Sequence, residues 1–104
     1  MSLFHEEKLT QSIKDIASSF AQKQSNGTSL ITITRVVLNP KGDRATIFVS
    51  VFPEDKEEAA VSFLVRNRGE FKDEFKAKVR VGRIPFFEFV VDKGEKLRQK
   101  IDLL

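Results

Sequence analysis

Cysteine, tryptophan and tyrosine are all absent from this 104-residue chain, and histidine occurs once, as His5. Without cysteine there is no disulfide, thiolate zinc site or thiol nucleophile, and a cytoplasmic location is expected. Without Trp and Tyr, ten Phe residues must supply all aromatic packing, and any stacking on a nucleobase as well. No apolar run comes near the about 20 residues that a membrane span needs, so no membrane span is expected. The polar, charged stretch Met1 to Lys8 does not read as a secretion signal. His5 reads as a solvated or capping residue, and Asp43, Glu88 and Asp92 as isolated carboxylates. With no acid–base pair, nucleophile motif or metal-ligand cluster, the chain is expected not to be an enzyme: no catalytic residue, no metal and no cofactor.

What is present suits one compact core. The length allows a single domain over residues 1–104, and 40% of residues are hydrophobic. The net charge is only +3 with a pI near 9.3, which leaves nucleic acid, an acidic protein or an anionic lipid surface as partners. The charge is sorted, however. Arg66, Arg68, Lys72, Lys76, Lys78, Arg80 and Arg83 fall within eighteen residues, against Glu70, Asp73 and Glu74, a local surplus of four. Acids gather instead at Glu54, Asp55, Glu57 and Glu58. A basic segment of this kind is the footprint of binding to a phosphate backbone.

Hydrophobic periodicity orders the chain. Leu9, Ile13, Ile16, Ala17 and Phe20 make one stripe of a helix from about Phe4 to Gln24, stopped by Ser25 to Thr28. Leu30 to Leu38 is β-branched and dense, a strand. The turn Asn39 to Asp43 then joins it to a second strand, Arg44 to Phe52, as a hairpin. In the second strand Ala45, Ile47, Val49 and Val51 share a face built for burial. Pro53 ends that strand, and the acids from Glu54 to Glu58 suit the start of a second helix through its dipole. The stripe of Ala60 and Leu64 resumes at Phe71, Phe75 and Val79. A third helix is expected to run on until Gly82 and Pro85. Phe86 to Asp92 makes a third strand with Phe87, Phe89 and Val91 on one face, and a short terminal helix carries Leu97, Ile101 and Leu104. Three strands with one apolar face, and helices enough to cover only that face, predict an α+β two-layer sandwich.

The junction of the second and third helices is the point of chemical interest. An unbroken helix would turn Asn67 to the buried side, where its amide lacks partners. Asn67 is therefore expected to be the N-cap of a new helix, with Glu70 three residues on completing a capping-box-like pair and Gly69 letting the backbone bend. Arg68, Lys72, Lys76 and Arg80, four residues apart, would climb one side of that helix from its N-terminus, itself a seat for phosphate. A solvated helix face is the plain alternative for such a row. Most Phe residues lie on core stripes. Phe48 and Phe86 face the other side of the sheet and are the candidates for base stacking, with packing under the terminal helix as the competing role.

Taken in order, these blocks resemble the ribosome-binding factor A family. The resemblance covers nearly the whole chain. It rests on Ile33-Thr34-Arg35-Val36, on Asp43-Arg44-Ala45-Thr46-Ile47-Phe48-Val49-Ser50-Val51, on Arg68-Gly69-Glu70-Phe71-Lys72, and on the run from Arg83-Ile84-Pro85 to Asp92. The family consists of bacterial small-subunit assembly factors. It implies a type II KH-like fold in which a kinked Ala-x-Gly, here Asn67-Arg68-Gly69, replaces the Gly-x-x-Gly loop of RNA-clamping KH modules. By the resemblance the chain is a monomer. It would bind the small (30S) ribosomal subunit and its 16S rRNA late in assembly, assist rRNA processing and maturation, and matter most in the cold. Arg66, Asn67, Arg68, Gly69, Lys72, Lys76, Lys78, Arg80 and Arg83 would form the RNA-binding site, flanked by Lys41 and Arg44. The alternatives are a protein-interaction module docking an acidic partner through this basic face, or a generic KH-like RNA-binding domain.

Overall fold

A computed structural model describes the backbone of residues 3–23 and 29–94. The expected stop at Ser25 to Thr28, the terminal helix of Leu97, Ile101 and Leu104, and the His5 side chain lie outside what is described. The elements follow in the order α1 (Leu3–Lys23), β1 (Leu30–Leu38), β2 (Arg44–Phe52), α2 (Glu57–Arg66), α3 (Arg68–Lys78) and β3 (Phe86–Val91). Glu54–Lys56 forms a single 3-10 turn that leads into α2, so the acidic cluster spans this turn and the first residues of the helix.

Both hairpin strands begin and end as their β-branched patterns predict. β1 pairs antiparallel with β2, and β2 pairs parallel with β3, so β2 is central in a mixed three-stranded sheet. The register steps at Thr34, where β1 carries one residue more than β2 between Ile33↔Val49 and Arg35↔Phe48. That bulge keeps Ile33 and Val36 on the same side of the sheet although they are three residues apart.

The covered face holds Ile33, Ala45, Ile47, Val49, Val51, Phe87 and Phe89, all buried. α1 lies against β1 and α3, while α2 lies against β2 and β3. Helix α1 contributes Ile13, Ile16, Ala17, Phe20 and Ala21 from its apolar stripe. In the absence of larger aromatics, phenylalanines build the centre edge to face. The Phe71 ring meets Phe87 at 4.7 Å, Phe20 at 5.6 Å and Phe89 at 5.9 Å. Such pairs add about 0.5–1.5 kcal/mol each beyond the area they bury. Phe71 thus ties α1, α3 and β3 together from one residue.

Two sequence expectations are corrected. First, α3 ends at Lys78, because Val79 takes up an extended conformation (φ −128°, ψ 129°). Val79 and Val81 are both half-buried against the core, whereas Arg80 between them is exposed. A period of two has replaced the helical one, and β-branched residues favour it. Arg80 and Arg83 consequently stand beyond the helix.

Second, Asn67 does not cap α3 through its side chain. Its amide nitrogen donates backwards to the carbonyl of Phe63, at 2.8 Å. The junction is a single residue with φ −103° and ψ 16°, short of the extended backbone that an N-cap favours. The half-buried amide finds its partner in the turn behind it. Gly69 has no positive φ and sits inside the first turn of α3, so the break is made at Asn67 and not by glycine.

Candidate nucleic-acid interface

Three chain segments converge where β2 and β3 both begin. The first is the hairpin turn. There the Asn39 side-chain oxygen accepts hydrogen bonds from the backbone N–H groups of Asp43 and Arg44, each at 3.0 Å, and Gly42 takes φ 73°. That left-handed conformation suits glycine at low cost. The second is the approach to β3. The parallel register sets Arg44 opposite Phe86, and the Phe86 N–H donates to the Asp43 carbonyl at 2.9 Å. The third is the start of α3, whose first N–H groups have no acceptor within their own helix.

Arg68, Gly69, Lys72 and Arg83 line one open cleft of about 400 Å³ together with Asp43 and Phe86. Lys41 and Arg44 line a neighbouring cleft that shares Asp43 and Phe86. Above Gly69 the space is open, since even an added Cβ would meet nothing within 4 Å. The helix start is open on that side.

Ion pairing divides the nine cations among the eleven proposed positions. Among the described residues, Arg66, Arg68, Lys72, Lys76, Arg80 and Lys41 form no ion pair. Lys78 is different: with Lys23 of α1 it clamps the Glu74 carboxylate, at 3.1 and 2.9 Å. These two cations hold the Glu74 carboxyl below its ordinary range against the opposing effect of burial. The Lys23–Glu74 pair thus joins α1 to α3, whereas Lys78–Glu74 lies within α3. Arg44 pairs with Glu88 at 3.1 Å, and Arg83 stands 4.0 Å from Asp43. The Asp43 carboxyl is also held low, chiefly by the Asn39 side-chain amide, then against partial burial by the charges of Arg83 and Lys41. What remains of the sequence-predicted row is Arg68, Lys72 and Lys76 on α3, with Arg66 just before the break. Arg66 and Lys76 line neither of the two clefts.

The three carboxylates that read as isolated are structural. Asp43 fastens the turn, Glu88 accepts from Arg44 and Thr46 across β2 and β3, and Asp92 is buried and accepts from Thr34. The sequence pattern offers Phe86 as a candidate for base stacking on the free sheet face, but does not place it beside the basic residues. Only the register, which brings it beside Arg44 and over the cleft, reveals its place there. Among the described residues there is no cluster of groups able to hold a metal ion, and no helix is long and apolar enough to cross a membrane.

A mixed sheet covered on one face, with two helices broken at a single residue above a basic end, defines a type II KH-like α+β domain. The ribosome-binding factor A family model matches residues 5–104, and the chain belongs to that family. It is 36% identical over 76 residues to ribosome-binding factor A of Lacticaseibacillus casei, an alignment covering 71% of this chain and 65% of that one. The chain thus aligns with just under two thirds of the length of that relative. Among solved structures it is similar to the crystal structure of ribosome-binding factor A from Thermus thermophilus. That match has a TM-score of 0.73 and 26% identity over 82% of this chain and 92% of the other. It is similar also to a homology model of the Thermus thermophilus factor fitted into a cryo-EM map of a 30S complex. There the TM-score is 0.70 and the identity 25%, covering 81% of this chain and 91% of that one.

Proposed function

We propose that this chain binds the small ribosomal subunit through its 16S rRNA late in assembly, and assists rRNA processing and maturation as a cytoplasmic monomer. The observation that carries the reading is the set of cations at the helix break, Arg66, Arg68, Lys72 and Lys76, that no acid of the described residues neutralises. Family membership and the relative fitted into a 30S complex support the same partner. The action is binding energy applied to an RNA conformation, not bond chemistry. Cations without internal partners release counterions from phosphate on contact, so affinity falls steeply with salt. Phosphate contacts position the protein and carry no sequence information, so selection among rRNA segments rests on other groups.

The test is a ribosome profile of a deletion strain at two growth temperatures, with the 16S rRNA ends mapped. Immature small subunits should accumulate, more so in the cold, where misfolded rRNA helices persist longer. Normal subunit ratios and mature ends in the cold would overturn the reading in favour of a module that docks an acidic protein.

A further inference from the structure

Phe86 is an aromatic that stands 45% exposed on the rim of the basic cleft, a place where burial gives it no reason to be. The Arg68 guanidinium carbon lies over its ring at 4.4 Å, and that of Arg44 at 5.5 Å. The two arginines differ. Arg44 is held by Glu88, whereas Arg68 pairs with no acid among the described residues. The backbone of Phe86 is fixed by its bond to Asp43, so the ring is presented on a rigid strand end.

We propose that Phe86, with the guanidinium of Arg68, forms a stacking seat for one splayed-out nucleobase of single-stranded RNA. Lys72 and Arg83 of the same cleft take the flanking phosphates. This rests on the RNA-binding reading above and deepens it: the ligand is a single strand with an unstacked base, not a duplex. A phenyl ring and a guanidinium plane both accept the π-face of a base, whichever base it is. Duplex RNA keeps its bases stacked inside and offers this ring nothing.

The chain has neither Trp nor Tyr, so Phe86→Trp installs a lone reporter at the seat. Its fluorescence should be quenched by a ten-nucleotide single-stranded RNA of mixed sequence, and not by the same backbone with abasic sites throughout. Phe86→Leu should bind the base-bearing strand about tenfold more weakly than the parent, in line with stacking on an aromatic. On the abasic strand, Phe86→Leu and the parent should be equal. Unchanged binding by Phe86→Leu, or equal quenching by the abasic strand, overturns the stacking seat while leaving phosphate binding intact. Failure of the parent protein to bind either strand at low salt overturns the RNA reading itself. A duplex bound as tightly as the single strand also overturns the seat. Because Phe86→Trp keeps a large ring at a half-exposed site, the quenching experiment stands even where the leucine variant folds poorly.

Discussion

The Thr34 hydroxyl donates a 2.6 Å hydrogen bond to the buried carboxylate of Asp92, joining the bulge of β1 to the residue just after β3. β1 and β3 are the outer strands of the sheet, so β2 lies between the two residues. The bulge aims Thr34 across the sheet, and the Asp92 backbone N–H is bonded to Val49 of β2 at 2.8 Å. Thr34→Val keeps the shape and β propensity but deprives the carboxylate of one donor. Its expected cost is about 1–3 kcal/mol, read as a lower urea midpoint. An unchanged midpoint would show that this bond does not brace the sheet.

At the helix break, donor and acceptor readings of Asn67 give opposite outcomes. Asp is a good N-cap but has no N–H to offer the Phe63 carbonyl. Asn67→Asp should therefore lose about 1 kcal/mol of stability near neutral pH. Equal or greater thermal stability for the aspartate variant would restore the N-cap role that the backward hydrogen bond excludes.

Charge reversal separates binding from anchoring on α3. Lys72→Glu together with Lys76→Glu should leave the fold intact and weaken RNA binding at least about tenfold, with a shallower salt dependence. Lys78→Ala should instead lower thermal stability slightly and change RNA affinity little, because Lys78 already serves Glu74. The pairing is exposed on the lysine side, so its contribution is small. Binding that depended on Lys78 more than on Lys72 and Lys76 would invert the assignment.

Acid should loosen the contact between α1 and α3. The Glu74 carboxyl is held below its ordinary value of 4.5 in the folded protein, chiefly by the hydrogen bond from Lys23 and then by that from Lys78. A depressed folded value means stability that is complete above the unfolded value and is lost as pH falls through the folded one. Stability should thus decline from about pH 4.5 downward, and Glu74→Gln should flatten part of that decline while lowering stability at neutral pH. An identical pH profile for the glutamine variant would remove Glu74 from this role.

Local pattern alone determined much of this protein. Strand boundaries at Leu30, Leu38, Arg44 and Phe52 follow from β-branched runs bounded by a turn. Both faces of β2 and the buried helix stripes follow from the periods of two and 3.6. The helix break between Arg66 and Arg68 was legible because a polar residue fell on an apolar stripe. How that conflict resolves was not. Asn67 can point its amide forward or back, and the choice depends on backbone angles that the fold imposes at the junction. The end of α3 was misread for a similar reason: Val79 fits a helix stripe and an extended segment equally well, and contact with the core decides. The number of basic residues was plain in the sequence, but which of them are free depended on acids brought from afar. Glu74 meets Lys23 across 51 residues, and Arg44 meets Glu88 across 44. Phe86 sits over Arg68 for the same reason. Periodicity describes neighbours along one element, whereas ion pairs and ring contacts are made between elements, and only tertiary packing sets those distances.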